Sequence, residues 1–274
     1  MKNKYYLQYN LDKKKLDCLN ENELMVQIRQ IAHGLDKEMQ FSQERKIVFT
    51  ENKLKKLTKR LEVYKSKFNV NKPDYLWALN VKLSYIKGIA EQQSFVYPWE
   101  SKMNINIPKE EFEKLFLGRR SIRNFTEDEI PNDLIKEIIK YGTWAPSNCN
   151  TQAIRFIVIK TPEIKNNIKG GGLTGKMGNC IIAVIANYKF YEDLDIDGLI
   201  HDSAASIQNI LISCHYFGIG ACYVSSLGAN NNTYREILKI NESEKITAFI
   251  WLGMYDKAPI TPIRRSVEEV IEII

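Results

Sequence analysis

From Glu21 to Leu35 the apolar residues Leu24, Met25, Ile28, Ile31, Ala32 and Leu35 recur at helical spacing, which predicts a helix with one buried face and a stop near Gly34. Between about 42 and 68, Leu54, Leu57, Leu61, Tyr64 and Phe68 alternate in steps of three and four among Lys and Arg. That seam covers about two heptads, short of a coiled coil, and reads as one arm of an intramolecular helical hairpin. An intersubunit helix is the alternative, with nucleic-acid contact a lesser one. Pro73 opens a third helix with Leu76, Leu79, Leu83, Ile86 and Ile89 on one side. Residues 1–20 show no period and read as irregular. Ser94 to Pro108 reads as an extended connector, because residues before proline are pushed out of the helical region. A boundary is expected there, between a helical front of residues 1–100 and a second domain of residues 108–274.

Beyond Pro108 the pattern becomes mixed. Glu110 to Leu117 is a short helix, Phe125 to Pro131 a turn, and Asn132 to Tyr141 a helix with Leu134, Ile135, Ile138 and Ile139 inward. Arg155 to Lys160 and Cys180 to Ala186 are β-branched apolar runs and predict buried strands. Gly170-Gly171-Gly172 between them reads as a flexible loop. Asp202 to Tyr216 is apolar over most of its circumference, which predicts an interior helix. Ala221 to Val224 and Ile246 to Gly253 are further strands, followed by a tail from Val267 to Ile274. Alternating helices and strands indicate an α/β or α+β core.

Composition narrows the function classes. Hydrophobic residues make up 44% and charged residues 26% of 274, as in a folded globular protein. No apolar run approaches the roughly 20 residues that cross a bilayer, and the start lacks a secretory core, so a cytoplasmic location and no membrane partner are expected. Five widely spaced cysteines without a Cys-x-x-Cys pair are expected as reduced thiols. The three histidines have no metal-ligand spacing, so no metal is expected. Residues 1–110 carry 21 Lys and Arg against 13 Asp and Glu, so the net charge of +6 sits in the front. Such a face is more often solvated than bound to nucleic acid.

Three polar stretches carry the candidate chemistry: Arg119-Arg120-Ser121-Ile122-Arg123-Asn124-Phe125, Ala145 to Gln152, and Arg264-Arg265. Guanidinium forks bind phosphate oxygens bidentately and a serine hydroxyl adds a neutral donor, so the first stretch suits a phosphate held in one orientation. With Trp144-Ala145-Pro146-Ser147, Asn150 and Gln152, the Asp202-x-Ala-x-x-Ile-Gln-Asn run, Gly218-Ile219-Gly220 and the Pro-x-Arg ending, the sequence resembles the FMN-dependent nitroreductase superfamily. The resemblance covers roughly residues 110 to 270 in the right order.

The resemblance implies an α+β fold: a three-layer α/β/α sandwich on a mixed, mainly antiparallel sheet, preceded here by a helical extension. It implies FMN as cofactor, NADH or NADPH as reductant, a small electron acceptor such as a nitroaromatic or quinone, and a homodimer with flavin sites at the interface. By position, Arg119 and Ser121, with Arg120 beside them, match residues holding the FMN phosphate and ribityl chain. Arg123 matches the basic residue near the phosphate or pyrimidine end, and Arg264 the late arginine closing on the phosphate. Pro146, Ser147, Asn148, Asn150 and Gln152 match the loop that reaches the flavin bound mainly by the other subunit. Ser226, Leu227 and Gly228 match the loop passing the flavin ring, and Lys176 is the candidate mid-chain base at the pyrimidine. The flavin carries the hard step, so no catalytic side chain is expected. Where relatives often have Gln-Pro-Trp, this chain has Gln152-Ala153-Ile154. Cys149 reads as a small buried filler, or as a thiol near the site. A second reading makes the chain a flavin-binding scaffold or sensor whose basic helical front binds a partner.

Overall fold

The computed structural model describes residues 13–40, 50–90, 106–170, 172–174, 177–191, 197–225 and 232–274. The front is built from α1 (Lys13–Asp17), α2 (Glu21–Gln40), α3 (Thr50–Lys67) and α4 (Pro73–Ala90). Leu24, Ile28, Ile31 and Leu35 of α2 bury against Leu57, Leu61 and Tyr64 of α3 and Tyr75, Ala78 and Tyr85 of α4. The α3 seam therefore packs within the chain. Two expectations change. Residues 13–17 are helical, and α2 passes Gly34 to Gln40, because burying Leu35 and Met39 outweighs the ~1 kcal/mol that glycine costs a helix.

The α4 face is also not the one expected: Leu76, Leu83 and Ile86 point outward, at 50%, 54% and 41% exposure. This helix offers two apolar stripes. The aromatic one goes inside, where Tyr75 stacks on Tyr64 at 5.3 Å between ring centroids. Some cations of the front are engaged within it: Lys53 pairs with Glu38, Lys72 with Glu21, Arg29 with Asp74, and Arg60 Nε donates to Gln27.

The rest follows the order α5 (Lys109–Gly118), α6 (Asn132–Thr143), a 3-10 turn (Asn148–Asn150), β1 (Ile154–Ile159), α7 (Pro162–Lys165), β2 (Lys169–Gly170), β3 (Leu173–Thr174), β4 (Cys180–Asn187), α8 (Asp197–Tyr216), β5 (Gly220–Ser225), α9 (Asn232–Ile237) and β6 (Glu244–Gly253). The main sheet runs β1-β4-β6-β5, and every pairing among the described residues is antiparallel.

Alternate residues of β4 face opposite layers, as a strand requires. Ile182 and Val184 pack with Ile135 and Ile138 of α6 and Ile207, Ile210 and Leu211 of α8. Ile181, Ala183 and Ile185 pack on the other face with Ile168, Leu173 and Tyr234. Covering both faces gives the three-layer sandwich, and explains why β4 and β6 read as continuous apolar runs. The edge strand β1 is only half buried, against the buried strand expected. Gly170 pairs with Leu173 in the β2–β3 hairpin, Gly172 has φ 80°, and α8 begins five residues before Asp202.

Across the sheet, Arg155 of β1 donates from Nε and Nη2 to the carboxylate of Glu244 at 2.6 and 2.7 Å. Arg155 thereby holds the Glu244 carboxyl below the usual range, and the Asn241 N–H adds to this. Glu244 is buried, so Glu244→Gln is expected to cost about 2 kcal/mol at neutral pH. A depressed carboxyl contributes stability above its unfolded value of about 4.3, and that contribution is lost as pH falls through the folded value. Urea titrations of both proteins should therefore converge in acid; a constant difference would contradict the ion-pair origin.

Candidate functional site

The chain leaves α5 at Arg119 with φ −59° and ψ 133°, passing from helix to extended backbone at the first arginine. Ile122 anchors the next turn of chain to the edge strand: its N–H donates to Ala221 O at 3.0 Å and its side chain is buried. The fit needs Gly220, where an added Cβ would stand 2.9 Å from Ile122 Cγ2. Phe125 closes the segment over Gly253, with a would-be Cβ at 2.7 Å. A local pattern of inward Ile122 and Phe125 thus holds the polar residues between them at the β5 edge.

The three arginines part company. Arg120 is committed to protein groups, donating to Leu117 O at 2.5 Å, Arg119 O at 3.0 Å and Thr261 Oγ1 at 2.8 Å. It ties the C-terminal segment to the end of α5. Arg119 and Arg123 have no carboxylate partner among the described residues, although the chain holds 33 acidic residues. Burial pushes the Cys222 thiol of β5 up, and the nearby guanidiniums of Arg123 and Arg119 pull it the other way. Arg123 Nη1 also donates to Ser121 O at 3.5 Å. A cavity of about 80 Å³ beside Arg119 is lined by Arg119, Arg120, His215 and Tyr255 together with apolar residues and by no Asp or Glu, whereas Arg123 lines a separate cavity of about 610 Å³ with Glu127, Glu129, Lys160 and Lys165.

Arg264 lies apart, on an exposed C-terminal segment, with Nη1 on Ile263 O at 3.3 Å. Along that segment Ile260, Ile263 and Ile273 are 92%, 95% and 89% exposed. Lys176, Ser226, Leu227 and Gly228 lie outside the described residues.

The second polar stretch forms a strained loop ahead of β1. Cys149, Asn150 and Gln152 have φ of 52°, 53° and 52°, the left-handed region in which each non-glycine residue costs about 1 kcal/mol or more. The loop is held by hydrogen bonds instead. Asn148 N–H donates to both oxygens of Asp202 at 2.9 and 3.0 Å, Gln152 N–H donates to Ser147 Oγ at 3.1 Å, and the Thr151 hydroxyl donates to Asn148 O. Tyr191 OH donates to Asp202 at 2.6 Å. Burial pushes the Asp202 carboxyl up, and the donors from Tyr191 and Asn148 oppose it. Cys149 is half buried and burial pushes its thiol up, so it is not an activated nucleophile. Pro146, Ser147 and Gln152 line a cavity of about 100 Å³ with Asp202 and Ser206.

These stretches do not meet within one chain. Asp202, which holds the loop, and His215, which faces Gly118, sit at opposite ends of α8, about 20 Å apart at 1.5 Å per residue. The Arg segment lies on edge strand β5, whereas the loop feeds edge strand β1, and two strands lie between them.

Sequence reasoning named Asp202 only within a family motif and Thr151 only within a polar stretch, gave neither a role, and missed Tyr191, Arg29 and Asp74. A carboxylate inside an apolar helix was a signal for Asp202. Thr151 offers mainly a backbone carbonyl, which no residue type announces. Among the described residues no His, Cys, Asp and Glu group could hold a metal, the cysteines are unpaired, and no helix is long and apolar enough to cross a membrane.

Comparison with known proteins places this geometry. A family model described as Nitroreductase family matches residues 117–171 and 172–254. An Archaeoglobus fulgidus protein provisionally named NADH dehydrogenase/NAD(P)H nitroreductase is 29% identical over 149 residues, which is 53% of this chain and 85% of that protein. Mouse iodotyrosine deiodinase 1 is 34% identical over 73 residues, 27% of this chain and 25% of that protein. Among solved structures, a nitroreductase-like protein from Streptococcus mutans superposes with a TM-score of 0.55 at 19% identity, covering 61% of this chain and all (100%) of that one. A provisionally named nitroreductase from Desulfovibrio desulfuricans in complex with FMN gives 0.51 at 24%, covering 58% and 93%.

Proposed function

Because the chain belongs to the nitroreductase family, we propose that it is an FMN-dependent oxidoreductase that takes a hydride from NADH or NADPH and passes electrons to a small acceptor, a nitroaromatic, a quinone or a related compound. The observation that carries this reading is the pair of guanidiniums, Arg119 and Arg123, left without carboxylates beside Ser121 on a sheet edge. A phosphate monoester is the partner such a pair fits, since charge-assisted N–H···O bonds are the strong ones and the cavity beside Arg119 holds no acid. FMN when bound supplies the hydride and electron chemistry. The residues present would bind and orient it: Arg119 and Arg123 would hold the phosphate and Ser121 a neighbouring hydroxyl. The Ser147–Gln152 loop, about 20 Å away along α8, serves the site of a second copy.

That assignment makes the protein a homodimer. The apolar side chains of the C-terminal segment and Phe112, Phe116 and Leu117 of α5 are exposed, and an apolar surface of this extent marks an interface. Arg264 rides on that segment, three residues past the Thr261 that Arg120 binds, and would close on the phosphate. Against reading the front as a nucleic-acid or scaffold module, its Lys53, Lys72 and Arg29 pair with acids of the front itself.

FMN titration with visible absorbance, followed by NAD(P)H turnover with a quinone or nitroaromatic, tests the proposal. Full-length protein that takes up no flavin would sink it. Deleting residues 259–274 is expected to convert the sedimenting species from dimer to monomer and to weaken flavin retention; an unchanged profile would remove the segment from the interface.

A further inference from the structure

Besides an exposed Lys189–Glu23 ion pair, the helical front makes a buried polar contact with the second domain that packing alone does not explain. Arg29 of α2 is 6% exposed, and its Nη2 donates to the backbone carbonyl of Thr151 at 3.1 Å, across 122 residues of sequence. Its Nη1 pairs with Asp74 at 2.9 Å, in the first turn of α4, and its Nε is buried without a partner among the described residues. The next residue, Gln30, donates from Nε2 to Thr151 Oγ1 at 3.4 Å. Thr151 is wholly buried, and its hydroxyl in turn donates to Asn148 O. A buried cation with one unpaired N–H is a poor source of stability, because desolvation offsets most of the Coulombic gain. What the arrangement supplies is geometry: a fixed donor on each of two adjacent α2 residues, aimed at one threonine of a loop with three non-glycine residues at positive φ.

We propose that Arg29 is a positioning residue for the flavin site, and that the helical front clamps the Ser147–Gln152 loop in its binding conformation. The inference rests on the reading that this loop faces FMN. Asp202 grips Asn148 at the start of the loop from the core side, and Arg29 with Gln30 grips Thr151 near its end from the front. Neither grip suffices, since the left-handed residues Cys149 and Asn150 lie between the two anchors. The coupling is reciprocal: whatever FMN gains from an ordered loop, the docking of α2 gains from bound FMN.

The test uses the full chain as wild type, Arg29→Met, Arg29→Lys and Leu57→Ala. Leu57 is buried among α2, α3 and α4 away from the loop, so its truncation matches the loss of stability without touching the clamp. Arg29→Met is expected to raise the FMN dissociation constant about tenfold, the equivalent of one hydrogen bond to a charged donor, and to speed amide exchange at residues 149–152 in flavin-free protein. Arg29→Lys, which keeps the charge toward Asp74, should fall between. Leu57→Ala should lower the melting temperature with flavin affinity unchanged. FMN should slow exchange in α2 of the wild type and not of Arg29→Met. If Arg29→Met does not fold, Arg29→Lys against Leu57→Ala carries the comparison. Unchanged affinity and loop exchange in the Arg29 variants, or an equal loss of affinity in Leu57→Ala, overturns the proposal while the flavin assignment stands. A wild type that binds no FMN overturns the flavin assignment and this proposal with it.

Discussion

Arg119→Ala is expected to raise the dissociation constant for FMN by about a hundredfold while the protein stays folded, which equilibrium dialysis and far-UV circular dichroism would read together. Arg119 is half-buried at the start of the extended segment and, among the described residues, has no carboxylate to release when it is removed. Its loss therefore costs the fold little and the ligand much. Two charge-assisted bonds at about 1.5 kcal/mol each would give that factor. Arg120→Ala is expected to behave in the opposite way. Its guanidinium serves Leu117 O, Arg119 O and Thr261, so its removal loosens the C-terminal segment before it touches flavin binding. If Arg119→Ala retained FMN as the wild type does, the phosphate site would have to be placed elsewhere.

Asp202→Ala is expected to have the largest effect on stability. It strips the acceptor from Asn148 N–H and Tyr191 OH, and Tyr191 is wholly buried. Leaving two such donors unpaired costs roughly 1–3 kcal/mol each, and in a protein of this size about 4 kcal/mol lowers the melting temperature by on the order of 10 °C. Asp202→Asn keeps one acceptor oxygen and should lose less than half as much. Calorimetry that found the two variants equal would mean that charge, and not hydrogen-bond geometry, holds the loop.

The local elements were largely legible. The face of α2 with Leu24, Ile28, Ile31 and Leu35 and the inward set of α6 followed from periodicity alone, because burial repeats where the helix turns. Periodicity failed on α4, where two apolar stripes compete and only the neighbouring Tyr64 selects Tyr75 over Leu76. It failed again on β1, since an edge strand and a central strand can share one composition and differ only in what covers them. The short helices α7 and α9 carry too few residues for a pattern to emerge.

The sequence by itself determined the chemistry on offer: guanidiniums and a serine hydroxyl of the kind that suit a phosphate, and amide side chains in a turn before a strand. Local side chains encode that much, because charge and hydrogen-bonding capacity belong to the residue. Only the tertiary structure decided how the pieces are dealt out. The strand order β1-β4-β6-β5 sends Arg119 and Asn148 to opposite edges, so that a site using both needs two chains. Packing of α2 against the core brings Arg29 to the carbonyl of Thr151, a contact made by backbone at long sequence separation that depends on how whole helices and strands come to lie together.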